Sequence, residues 1–508
     1  MKKTFSALFL ILTSITSYSQ VELNIDAISE KGSIAAGSIS KGPIHISKVS
    51  YVPNTNQKHK SPFTSESSYY IYGEQNGKKV ELDCKMLPND IKLLPTTNSL
   101  EEYWQIQNIM SLPRLSRFYN IYEARSDMEY DAYNYNSKLE DYGLLLDDPY
   151  LESYVYGLVS KISPKQRPDG FPYGIKVVFI KDETTNISIT NNGILSINVG
   201  MLAAMHTEDE LIAAISHEMA HFVSNHSLIN IQKSELRKSR AEFWAGFATI
   251  MAAATETYAA SQGVNTYGSL TLNTAIISTA ITSDIIERIG INYDKEQEKE
   301  ADLSAIYALK LLNYDTNALA TLLSNIEKQK TEEFNWSESA YISKSHTTLS
   351  ERIEYCGTPY KRTDKNFEIK VSSAITSTAT LKYLNGRFSQ ALKYVSLNIS
   401  NGVGSADDYN LKAQCLIKLY DDEKNNKEAY DAILKANELN PNIDNRKTEI
   451  ILLLRMNKVQ NTIETLNGYI NDLNSAIKSE FCDSNRYTYL INEYEWAQKT
   501  LMIASQIK

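Results

Sequence analysis

The run SHEMAH places His217, Glu218 and His221 in the order H-E-x-x-H. On a helix four residues turn through about 400°, so both imidazoles leave one face a turn apart and can grip one cation. Imidazole nitrogens around an ion with one corner left for water suit zinc. A carboxylate beside them, Glu218, is placed to take a proton from that water as it attacks a carbonyl carbon. The chemistry these residue types point to is metal-assisted hydrolysis.

A third ligand must come from elsewhere. Four of the seven histidines lie between positions 206 and 226. His226 is nine positions after His217, about 900° on a continuous helix, which puts it on the far side and away from the ion. The metzincin spacing fails as well, because Ser224 and Ser227 stand where that pattern needs Gly and His. His206 precedes the helix start and reads as a loop residue. A second helix is expected in YDKEQEKEADLSAIYALKLL, beginning at Tyr293. There Glu298 and Asp302 share a face, while Glu296 and Glu300 point roughly opposite. Charge runs of this kind are usually solvated. Beside an H-E-x-x-H, Glu298 can instead complete the two-histidine site, and Asp302 can orient an imidazole through its free N–H.

Several elements must position these groups. The runs GIKVVFIKD, from Gly174, and GILSINVGM, from Gly193, read as two buried strands before the histidine helix. That helix starts at Thr207, which with Glu210 forms a T-x-x-E capping box ahead of LIAAI. Between the ligand helices, AEFWAGFATIMAAATETYAASQ and SLTLNTAIISTAI read as a packed helical hairpin. Upstream, VELNID, SYYIYGE and KKVELDC alternate apolar with polar residues, giving a small β-rich module. Residues 99–163 carry tyrosines and acids at helical spacing, interrupted by Pro113. Beyond Asn366, Leu381, Gly386 and Ala391, then Ala429, Ala436 and Pro441, fall near the spacing of tetratricopeptide repeats.

With 508 residues, 42% hydrophobic and 22% charged, the chain is globular and long enough for about three domains. A net charge of −9 without a basic block gives no footprint for nucleic acid. Lys2 and Lys3, an apolar run of about a dozen residues and small residues at Ser17 and Ser19 read as a secretory leader, too short to span a bilayer. Four cysteines, Cys84, Cys356, Cys415 and Cys482, permit disulfides after export but form no CxxC zinc pair. Buried free thiols fit them equally well.

Taken together, the sequence resembles the HtpX and CAAX-prenyl-protease type of zinc metallopeptidase, a gluzincin, in its exported branch with C-terminal tetratricopeptide repeats, the BepA-like proteins. The family's H-E-x-x-H-x-x-x-x-H corresponds to His217, Glu218, His221 and His226. Its E-x-x-A-D corresponds to Glu298, Ala301 and Asp302, with the third ligand on Glu298. Its N-A-x-x segment before the edge strand is similar to Asn186–Ile189, and its later S-x-H-P-x-x-x-x-R to the run carrying His346 and Arg352. Departures are Asp294-Lys295, Ile187 and Thr347, where the family has Ser-Arg, Ala and Pro.

The resemblance implies a mostly α, α+β chain. Residues 1–19 form the signal peptide, 20–98 the β-rich module, 99–365 the zinc metallopeptidase domain and 366–508 the repeat domain. It implies one zinc ion on His217, His221 and Glu298, with Glu218 as the base and Asp302 supporting a ligand. Arg352 or His346 supplies an oxyanion partner, or His346 caps the metal's open corner. A peptide substrate adds as a strand beside ILSINVG. The setting implied is periplasmic protein quality control, with an outer-membrane assembly complex met through the repeats and at most peripheral membrane contact. The competing expectation is a chaperone or scaffold acting through its repeats, with a structural or latent metal site.

Overall fold

A computed structural model describes residues 19–30, 39–52, 68–117, 121–141, 143–170, 174–231, 293–334, 348–478 and 484–506. The proposed leader up to residue 18, the hairpin between the ligand helices, His346 and Cys482 lie outside the described residues. The architecture is a mostly helical α+β fold.

Strands β1 (Ser19–Ser29), β2 (Gly42–Val52), β3 (Ser68–Gln75), β4 (Lys78–Asp83) and β5 (Leu93–Pro95) form one antiparallel sheet in the order β4-β3-β2-β1-β5. Alternation along β2 to β4, offset by a bulge between Ile46 and Lys48, sends Ile46, Val49, Ile71 and Leu82 to one face. That face packs on Ile106, Ile109 and Leu112 of helix α1 (Leu100–Leu115). The same helix sends Tyr103 and Trp104 into the main core, so it is shared between two cores. Pro113 sits in its last turn, where the lost N–H bond to the carbonyl of Ile109 and the clash with it fall near the helix end, and the helix runs on to Leu115. Helices α2 (Ile121–Asp141) and α3 (Pro149–Ile162) follow.

A second sheet holds β6 (Lys176–Ile180), β7 (Ile187–Ile189) and β8 (Ile194–Asn198). Its order is β6-β8-β7, with β6 parallel and β7 antiparallel to β8. Three strands, not two, therefore precede the histidine helix. The run ILSIN is central and has no free edge, so no peptide can pair beside it. The strand with an unpaired side toward the histidine helix is β7, whose three residues are too short for an alternation pattern to reveal.

Helix α4 (Val199–Ala204) leaves β8 directly. Gly200 is required there, since a Cβ would come within 2.0 Å of the Glu183 carbonyl oxygen. Helix α5 (Glu208–Val223) begins at the Thr207 cap, with Glu208, Asp209 and Glu210 in its first turn. Those acids favour the positive end of the helix dipole. The helix is then buried nearly all round, packed against α3, α7 (Lys295–Leu311), α8 (Ala318–Phe334) and β7. A left-handed Asn225 (φ 55°) ends it and starts α6 (His226–Ile231) in a new direction.

After α9 (Leu349–Cys356) and α10 (Lys365–Lys370) come seven helices, each packed on the next: α11 (Ser372–Leu384), α12 (Phe388–Asn401), α13 (Ala406–Leu419), α14 (Glu423–Leu439), α15 (Ile443–Arg455), α16 (Val459–Ile477) and α17 (Ser484–Gln506). Helix α11 joins this array to the main core through Ala374, Ile375 and Leu381. Beside it, Lys382, Asn385 and Arg387 converge on Glu183, at 3.4, 2.6 and 3.2 Å. Among the described residues no helix is long and apolar enough to cross a membrane. Cys84, Cys356 and Cys415 are buried free thiols.

Candidate metal centre

Helices α5 and α7 approach closely because Ala301, Ala305 and Ala308 line the inner face of α7. The approach brings Glu298 to the histidines of α5. His217 Nε2 and His221 Nε2 are 3.1 Å apart, and each lies 3.6 Å from a Glu298 carboxylate oxygen. Bonds of roughly 2.0–2.2 Å to a tetrahedral zinc give donor separations of about 3.3–3.6 Å. Three donors at these spacings therefore fit three corners of one coordination tetrahedron. They are the only such group among the described residues.

Each donor is held from behind. Asp302 is fully buried one turn along α7, with Oδ1 2.8 Å from His217 Nδ1. Its carboxylate accepts bonds from Arg352 Nε (2.8 Å) and Nη2 (2.6 Å) and from the Tyr355 hydroxyl (2.8 Å). Burial acts to raise its pKa, but His217 and Arg352 outweigh burial and hold it well below the carboxylate range. Arg352 also reaches Glu298 Oε2 through Nη1 at 2.9 Å. Thr348 and Glu351 cap the short helix that delivers it.

On the other side His221 stacks on Tyr293, with ring centroids 3.6 Å apart and planes 13° from parallel. Its Nδ1 lies 2.9 Å from Nδ1 of His226. The sequence expectation that His226 points away from the site is thus corrected. It assumed one continuous helix, and the turn at Asn225 instead swings His226 back against His221. The residue still stands outside the three-donor group. Glu300, read as pointing opposite to Glu298, lies 3.4 Å from His226 Nε2 and 3.5 Å from Arg114. Burial raises the Glu300 pKa, yet His226 and Arg114 pull it down to about 2. Tyr293 and Glu300 come from one segment and Arg114 from the distant helix α1, so no spacing pattern joins the three.

Glu218 is buried, and its Oε2 accepts the backbone N–H of Ile189 on β7 at 3.1 Å. Burial pushes its carboxyl up to about 7, with Glu298 adding to the rise and His217 opposing it. A carboxyl poised there can exchange protons near neutral pH. The arrangement is therefore a three-donor cradle, a proton-accepting carboxylate and an edge strand linked to that carboxylate. His206 lies in a loop, where its carbonyl accepts from Asp364 N at 2.8 Å.

The corner carrying His226 rests on a buried polar cluster. Asp169 takes bonds from Arg167 (2.7 Å) and Arg125 (3.4 Å), and both arginines reach the Asn225 side-chain oxygen. Asn108 ties the cluster to α5 by donating to the Val223 carbonyl at 2.8 Å.

Residues 146–357, the region that holds His217, Glu218, His221, Glu298, Asp302 and Arg352, match peptidase family M48. The chain is also similar to a protein of Vibrio cholerae serotype O1 named as a beta-barrel assembly-enhancing protease, 23% identical over 182 residues. That alignment covers 36% of this chain and 34% of the relative, so about a third of either protein is shared. The chain thus contains a region, residues 146–357, that matches an M48 peptidase domain.

Proposed function

We propose that this M48 domain makes the chain an exported zinc-dependent metalloendopeptidase. The single observation that carries the reading is the convergence of His217, His221 and Glu298 at tetrahedral spacing beside Glu218, itself bonded to the edge strand. In this reading the three residues hold zinc, which when bound activates a water and polarises the scissile carbonyl. An extended peptide pairs along β7, where Ile189 lies against Glu218, so its backbone passes the base. Glu218 takes a proton from the attacking water and passes it to the leaving nitrogen. Asp302 holds the His217 tautomer, and Arg352, which holds Asp302 and Glu298, is the first candidate partner for a developing oxyanion. His346 remains the second candidate for that partner, or for capping the metal.

The stacked C-terminal helices support a tetratricopeptide-like array. Ala391, Ala429 and Ala436 are fully buried, as small residues at close helix crossings should be, and the left-handed Gly386 follows α11. Such an array presents a groove for a protein partner. The name of the Vibrio cholerae relative favours envelope quality control near an outer-membrane assembly complex. The leader-like first nineteen residues favour export to the periplasm.

Replacing Glu218 by Gln tests the reading. Metal content should persist while hydrolysis of an unfolded protein falls by roughly 10²–10⁴. Undiminished hydrolysis by that variant would remove Glu218 as the base. A cellular role that survives the substitution would favour a scaffold instead.

A further inference from the structure

The two histidines of the cradle are supported in different ways. His217 has a carboxylate directly behind it, at 2.8 Å. Behind His221 stands a second imidazole, and only behind that a carboxylate, at 2.9 and then 3.4 Å. Two ring nitrogens at 2.9 Å require one proton between them. His221 Nε2 faces the donor cluster and must offer a lone pair there, so the proton sits on His221 Nδ1. It is donated to Nδ1 of His226. The remaining proton of a neutral His226 is then on Nε2, the atom facing Glu300. This tautomer pair leaves His221 Nε2 its lone pair for the cradle and turns an N–H of His226 toward the Glu300 carboxylate 3.4 Å away.

The fold spends several features on keeping that line straight. His226 is fully buried, and the left-handed Asn225 before it is clamped by Arg125 and Arg167. Tyr293 stacks on the His221 ring and is anchored at its hydroxyl by Ser227, at 3.1 Å. Arg114 reaches Glu300 from α1, the helix shared by both cores.

We infer that His226 is a positioning residue for the metal centre, fixing the tautomer and ring plane of His221, with Glu300 and Arg114 as its anchor. This rests on the zinc reading above. The role is separate from ligation, since His226 stays outside the three-donor group. It also explains why the histidine follows the helix rather than belonging to it: only a residue beyond the turn can approach His221 from behind.

The test uses the full chain and measures zinc affinity by competition with a chromophoric chelator, together with the visible absorption of the cobalt(II)-loaded protein. His226→Leu removes the acceptor for His221 Nδ1–H, and its zinc dissociation constant should rise roughly 10- to 100-fold, with an altered cobalt spectrum. His226→Gln offers an amide oxygen to the same N–H and should recover most of the affinity and the spectrum. Glu300→Gln keeps both imidazoles and should weaken zinc binding by a smaller factor. Wild-type affinity in His226→Leu overturns the inference, and so does equal impairment in the Leu and Gln variants, which would indicate packing alone. Should His226→Leu fail to fold, Glu300→Gln decides, and unchanged affinity there overturns it. A wild-type chain that binds no zinc would instead overturn the underlying metal reading.

Discussion

The metal centre and the C-terminal helical array are built from opposite materials. Around α5 and α7 the interior holds His217, Glu218, His221, His226 and Asp302, all buried; the histidines and Asp302 are answered by other charged or polar side chains, and Glu218 by the backbone N–H of Ile189. In the array the closest helix crossings are filled by Ala379, Ala391, Ala413, Ala429 and Ala436, with Leu416, Ile433 and Leu452 around them. Its buried polar groups are fewer and spread along the helices: Asp408 caps α13, and Glu493 pairs with Lys447 at 2.6 Å. An interior of paired charges fixes side-chain direction to tenths of an ångström but leaves a costly orphan when one member is removed. An interior of small apolar residues fixes the distance between helices and tolerates loss of any one polar group. The first suits chemistry, and the second suits shape.

The sharpest way to break this comparison is at the corner beneath His226. Asp169→Ala leaves Arg167 and Arg125 without their shared carboxylate and should cost about 3–5 kcal/mol, read as a fall in Tm. Burial opposes ionisation of Asp169, but the two arginines hold its pKa down at about 2. A loss below 1 kcal/mol would show that the cluster is solvated rather than essential.

A second measurement follows Glu210. Burial raises its carboxyl to about 7, against hydrogen bonds from His206, Thr207 and Asn325. Because the folded pKa exceeds the unfolded one, this group contributes stability below about 4.5 and loses it as pH rises through about 7. Wild type should therefore lose on the order of 3 kcal/mol relative to Glu210→Gln across that window. Parallel stability curves for the two proteins would contradict it.

In the array, Ala429→Leu forces a branched side chain into a closed crossing and should cost about 1–3 kcal/mol. Zinc affinity should stay at the wild-type value. A change in affinity would show that the two interiors are mechanically one.

How far the sequence could be read follows from the same contrast. The pairing of His217 with His221 and the start of α5 at Thr207 are local facts, set by helix period and a capping side chain, and both were legible. Glu298 and Asp302 could be named because their period places them on one face, although only the approach of α7 to α5 shows what that face meets. His226 was misread because a single left-handed asparagine, invisible to periodicity, redirects the chain. Strand β7 escaped because three residues do not establish an alternation, and its insertion beside β8 moved the expected peptide edge by one strand. Tyr355, Glu300 and Arg114 gather by tertiary packing alone, which no local pattern encodes.

The central claim is that two imidazoles from α5 and one carboxylate from α7 hold a single zinc ion. Metal analysis of the purified chain beside its Glu298→Ala variant tests it most directly. The account predicts about one zinc per chain in wild type, loss of that zinc in the variant and loss of hydrolysis with it. A variant that keeps a full complement of zinc would contradict it.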